Sequence, residues 1–159
     1  MRRIVLSLLA LALAVPAAAV ALGGDNEGTL SVRGGLGRVT LKFTGSAIGR
    51  VGQGVIYVND PISSDGGGVD VWGCDRYDTR ATAVSCTGDN IRFRADGGRY
   101  FLSVKGSGIF LSAVGRGVAT LDGGGDGDVR DGVYSINDAP YKSLPNDEKQ
   151  VPLLAPATG

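Results

Sequence analysis

The stretch GGLGRVTLKFTGSAIGRVGQGVIYVN, residues 34–59, decides the fold because the chain carries a second version of it. Shifted forward by 63 residues, it lands on GGRYFLSVKGSGIFLSAVGRGVATLD, residues 97–122. Gly34-Gly35 then falls on Gly97-Gly98, Lys42 on Lys105, Gly45 on Gly108, and Gly54-Val55 on Gly117-Val118. The exchanges between these identities are mild: Val39 for Leu102, Thr40 for Ser103, Leu41 for Val104, Ile48 for Leu111. Such self-similarity sets architecture before chemistry. It reads as two tandem copies of one unit, at about residues 28–60 and 91–122.

Within each copy the apolar residues alternate with polar ones. Val39, Leu41 and Phe43 alternate with Thr40 and Lys42, and Ile91, Phe93 and Ala95 with Arg92 and Arg94. Period-two patterning broken by glycine marks half-buried antiparallel strands. The 27 glycines follow no collagen period, so they serve as turns, bulges and close contacts. We therefore expect an all-β fold of about ten short strands. They fall near residues 29–33, 38–43, 47–51, 55–58, 69–72, 81–85, 91–95, 100–105, 109–114, 118–121 and 132–136. Two similar halves suit an antiparallel β-sandwich or flattened barrel. A β-solenoid is the alternative, although solenoids show a shorter rung repeat and more rungs.

Residues 1–19 read as a secretory signal peptide. Arg2-Arg3 open it, residues 4–15 are apolar, and Pro16 precedes Ala17-Ala18-Ala19. The apolar run is short of the roughly 20 residues of a membrane span, so no transmembrane segment is expected after cleavage. Residues 20–27 read as a linker and 28–136 as one all-β domain. Residues 137–159 hold four of the six prolines and read as a disordered tail. The full chain balances 16 basic against 16 acidic residues; losing Arg2 and Arg3 leaves 14 against 16. That balance argues against a nucleic acid partner.

Export makes Cys74 and Cys86, the two cysteines, a disulfide pair, worth about 3 kcal/mol for a loop of this length. Two cysteines without any histidine cannot build a standard zinc site, and the spacing is not that of a redox pair. The lack of histidine also removes the commonest general base and the Ser–His and Cys–His nucleophiles. The aspartates sit in glycine-rich loops, where turn geometry alone favours them. The chain is thus expected not to be an enzyme.

Three binding candidates remain. Asp126, Asp128 and Asp131 in GGGDGDVRDG could give a calcium ion oxygen ligands, although Arg130 breaks the EF-hand spacing and an ordinary polar hairpin accounts for the loop. Arg92, Arg94, Lys42 and Lys105 share an outward phase and could form a basic strip for a cell-wall polymer or membrane surface; the plain alternative is the solvated face of a sheet. Trp72, with Tyr77 in the same region, could stack on a sugar ring, while a lone tryptophan near a disulfide more often packs against it.

A signal peptide followed by two [VL]-x-[LV]-K-x-[TS]-G and V-G-x-G-V units resembles the small secreted glycine-rich β proteins of high-GC Gram-positive bacteria. That group has no assigned activity, so the resemblance supplies no catalytic or ligand positions. The expectation is an exported, non-catalytic binding or structural module of the cell envelope, its partner a wall polymer or envelope protein. A self-associating envelope protein and a calcium-dependent adhesion module are the alternatives.

Overall fold

Glycine bends these strands more often than it ends them. In the computed structural model, which describes residues 26–62 and 64–155, most of the expected strands join into two long ones. β1 runs through Gly28–Asn59 and β4 through Ala83–Gly123. Five shorter strands complete the fold: β2 (Gly68–Trp72), β3 (Arg76–Arg80), β5 (Val133–Ile136), β6 (Lys142–Ser143) and β7 (Lys149–Leu153). The signal peptide and residues 20–25 of the linker lie outside the described residues.

Every pairing is antiparallel, which excludes a solenoid of stacked parallel rungs. β1 and β4 pair twice, in two registers, so the single seven-stranded sheet folds over into two layers. The first layer runs β7, residues 117–121, 38–44, 99–105, 55–59, 83–87, β3. The second runs β6, β5, residues 30–33, 111–113, 46–50, 92–95, β2. This is a β-sandwich whose long strands cross from one layer to the other.

Where they cross, backbones come close. Gly45 stands opposite Gly115, and Gly54 opposite Gly106. A Cβ on Gly45 would run into the carbonyl oxygen of Val114, and one on Gly106 into that of Gln53. Close approach of two backbones is one of the uses of glycine in a strand.

Between the layers lies one core. Val39, Leu41, Ile56, Leu102, Val104 and Leu121 come from the first layer. Leu30, Val51, Ile91, Phe93, Ile109 and Leu111 come from the second. Each large aliphatic side chain buried there contributes about 1.5–3 kcal/mol relative to exposure.

Residues 137–155 are not the disordered tail that their prolines suggest. β7 pairs with residues 117–121, and Val151, Leu153 and Leu144 are buried. Val151 and Leu153 alternate with Gln150 and Pro152, and an edge strand tolerates a proline on its unpaired side. Asn137 ties the two ends together: its side chain accepts from the Thr29 N–H at 2.9 Å and donates to the Leu154 carbonyl at 2.8 Å.

The disulfide forms between Cys74 and Cys86, with Cα atoms 5.3 Å apart. Cys86 lies on β4 opposite Tyr77 of β3. The bridge therefore pins the edge hairpin of β3 and β4 onto the core. The Asp75 N–H donates to the Thr87 carbonyl at 2.9 Å beside it.

The two similar stretches meet the same partners near their lysines. Lys42 stands opposite Phe101 and Val118, and Lys105 opposite Arg38 and Val55. The same 63 residues separate Lys42 from Lys105, Arg38 from Phe101, and Val55 from Val118. Further along, the correspondence breaks. Ile48 is 59% exposed whereas Leu111, its match by sequence, is 3% exposed. From Phe43 to Ala47, both buried, is an even number of residues; from Val104 to Ile109, both buried, it is odd. The extra residue lies at Gly108, whose φ of +63° is left-handed, as in a glycine bulge. The first stretch takes its extra residue later, at Gly52, which has no partner in either register. Between these two bulges the stretches point opposite faces to the core.

Candidate functional site

The bulges create a surface cleft. In the second layer one cross-strand row runs Trp72, Arg92, Arg50, Phe110, each directly opposite the next. Side chains in such a row stand on one face of a sheet, about 5 Å apart. All four point outward, Trp72 at 52% and Phe110 at 37% exposure. With Ile48 beside them they line a cleft of about 390 Å³. A smaller hollow of about 210 Å³ shares Arg50, Arg92 and Phe110 and reaches down to Gly52 and Gly108. The bulge glycines pack on each other there, Gly52 Cα lying 3.4 Å from where a Gly108 Cβ would be.

The Arg50 guanidinium stacks over the Phe110 ring at 4.2 Å from its centroid, a cation–π contact that orients its N–H groups. Arg92 stands between Trp72 and Arg50 and makes no ion pair among the described residues. Arg94, one step along β4, is engaged: its Nε lies 2.6 Å from an Asp96 carboxylate oxygen. That hydrogen bond, and then the charge of Asp96, raises the pKa of Arg94. Asp70 faces it from β2.

Trp72 does not pack into the core beside the disulfide; half of its surface is open. Tyr77 is also exposed, but on β3 in the first layer. The expected basic strip is divided in the same way. Lys42 and Lys105 lie on the outer face of the first layer, Arg92 and Arg94 on that of the second.

The loop carboxylates bond to groups of their own turn. Asp128 and Asp131 form a reciprocal cap on the short 3-10 turn Val129–Asp131. Asp131 accepts from the N–H groups of Asp126 and Asp128, at 2.7 and 3.2 Å. Asp128 accepts from the Arg130 N–H at 3.2 Å and from its guanidinium at 2.8 Å. The backbone bond, then the guanidinium, holds the Asp128 carboxyl below its usual range. Among the described residues no group of three His, Cys, Asp or Glu side chains is placed to hold a metal ion.

Arg50, Phe110 and Ile48 are site residues that sequence reading missed. Their matches at the shift of 63, Ala113, Ala47 and Leu111, are all buried, so nothing in the self-match singles the three out as exposed. Among the described residues no helix is long and apolar enough to cross a membrane. No protein-family model, curated protein or solved structure matches this chain.

Proposed function

We propose that the chain is an exported, non-catalytic binding module of the cell envelope that holds a sugar ring of an envelope glycan in the Trp72 cleft. The observation that carries this reading is the row Trp72, Arg92, Arg50, Phe110, two exposed aromatic rings flanking two guanidiniums over a cleft. Sugar rings present C–H faces that stack on indole, and hydroxyl or carboxylate substituents that accept from guanidinium. Among the described residues no carboxylate lines the cleft, and its aromatic rings and guanidiniums offer stacking and hydrogen bonding. The signal-like residues 1–19 and the disulfide support export, since such bridges persist in oxidising compartments. The matched partners of Lys42 and Lys105 support descent of the two stretches from one duplicated unit.

Trp72 is the one tryptophan of the chain, so its fluorescence reports the cleft alone. Titration of the exported chain with oligosaccharides released from envelope glycan should shift that emission saturably. Trp72→Ala should weaken retention on the intact glycan about three- to tenfold, as loss of an aromatic stack does. Unmoved emission together with undiminished retention of the Trp72→Ala variant rejects the cleft.

A further inference from the structure

The outer face of the first layer carries charge that the Trp72 cleft does not use. Arg116 and Arg99 stand opposite Thr44, one on each side. Lys42 lies two residues along β1, with Phe101 opposite it. Together with Pro61 these residues line a cleft of about 450 Å³. On the same face Arg38 stands opposite Lys105. None of these five cations makes an ion pair among the described residues.

Contacts also hold the chain that carries Arg116, Arg99 and Lys42. Arg116 lies between Gly115 and Gly117, at the crossing where a Cβ on either glycine would strike the carbonyl oxygens of Thr44 or Lys42. Its backbone is thereby pressed onto the floor of the cleft. The Arg99 N–H donates to Asp65 at 2.9 Å, which ties the start of that segment to the loop forming the wall. Lys42 Nζ sits 5.9 Å from the centroid of the Phe101 ring. Adjacent strands lie about 4.8 Å apart, so Arg116 and Arg99 are spaced roughly 10 Å across Thr44, with Lys42 about 7 Å along the strand.

We infer that this face is a second binding surface, for a linear acidic glycan carrying an anionic group on successive sugar units. Three cations carried on backbone spaced about 7–10 Å apart suit charges spread along a polymer better than one compact anion. The face lacks the row of stacking rings that single-stranded nucleic acid requires: Tyr57 is exposed there, while Phe101 lies half-buried with Lys42 over it. The formal charge of the whole chain is zero, unlike the basic excess of nucleic acid binders. This surface is independent of the Trp72 cleft and lies on the opposite layer.

The test is retention of the exported chain on immobilised polygalacturonate, with neutral dextran and single-stranded DNA as parallel matrices. Polygalacturonate should retain the chain, and raising salt from about 50 to 500 mM should release it. The triple variant Lys42→Gln, Arg99→Gln, Arg116→Gln should bind at least about tenfold more weakly, each exposed charge contributing a few-fold. Its melting temperature should be unchanged, since all three side chains are exposed. No retention, equal retention on dextran, equal retention on DNA, or full retention of the triple variant would each overturn the assignment.

Discussion

Residues 38–44 and 101–107 share a sequence pattern, and both keep it in space as far as Lys42 and Lys105. Residues 46–51 and 109–114 share one too, yet there the structure turns them over. Ala47 and Ile109 face inward, and so do Val51 and Ala113, although none of these is the other's match at the 63-residue shift. The difference comes from a single residue taken as a bulge at Gly108 in one stretch and at Gly52 in the other. A one-residue slip moves every following side chain to the other face of a sheet. The consequence is chemical as well as geometric. Arg50 and Phe110 reach solvent in the interval where the stretches disagree, and the Trp72 cleft is built there.

The largest effect that could break this comparison is at Ile48 and Leu111. If the faces are opposite, Leu111→Ala leaves a core cavity and lowers stability by about 2–5 kcal/mol. Ile48→Ala stays within about 0.5 kcal/mol, as exposed positions do. Urea unfolding of the two variants measures both, and equal losses would mean that the stretches face the same way. Next in size are Gly45 and Gly108, which coincide by sequence. Gly45→Ala meets the Val114 carbonyl and its own φ of +151°, and should lose about 3 kcal/mol or more. Gly108→Ala has room, its nearest neighbour at 3.4 Å, and carries only the left-handed penalty of about 1–2 kcal/mol. Gly108→Asn should lose less still, because asparagine tolerates that conformation. Similar losses at the two glycines would remove the bulge from its assigned place.

The same contrast explains what the sequence could disclose. Alternation of Val39, Leu41 and Phe43 with Thr40 and Lys42 is a local signal, and it identified the strands and their inward residues. Cys74 and Cys86 needed only the assumption of an oxidising compartment. A bulge leaves no such mark, because a glycine that ends a strand, bends it or adds a residue to it looks alike. Ile48 was therefore equated with Leu111, and the row from Trp72 to Phe110 stayed hidden, since it depends on which strands lie side by side. β7 escaped for a different reason. Two inward residues, Val151 and Leu153, among proline and charge give too short a period to stand out.

The smallest expected effect lies inside the part where the stretches agree, at Tyr100. Its match by sequence is Gly37, so only the second stretch carries this ring. The ring is buried beside Phe43, with centroids 5.9 Å apart. Its hydroxyl donates to the Asp96 carbonyl at 2.7 Å, with the Gly68 carbonyl at 3.2 Å, linking the core to the start of β2. Burial, followed by the charge of Asp60, raises the phenol pKa above its ordinary value. A raised acid pKa leaves stability untouched below the unfolded value of about 10. Above it the unfolded chain ionises first, so stability falls as pH climbs toward the folded pKa. Tyr100→Phe should lose about 1 kcal/mol at neutral pH through the missing hydrogen bond. Its stability should also decline less than the parent's as pH rises above about 10. Parallel denaturant curves across that range decide the matter, because a phenol free to ionise in the fold would give the two proteins the same slope.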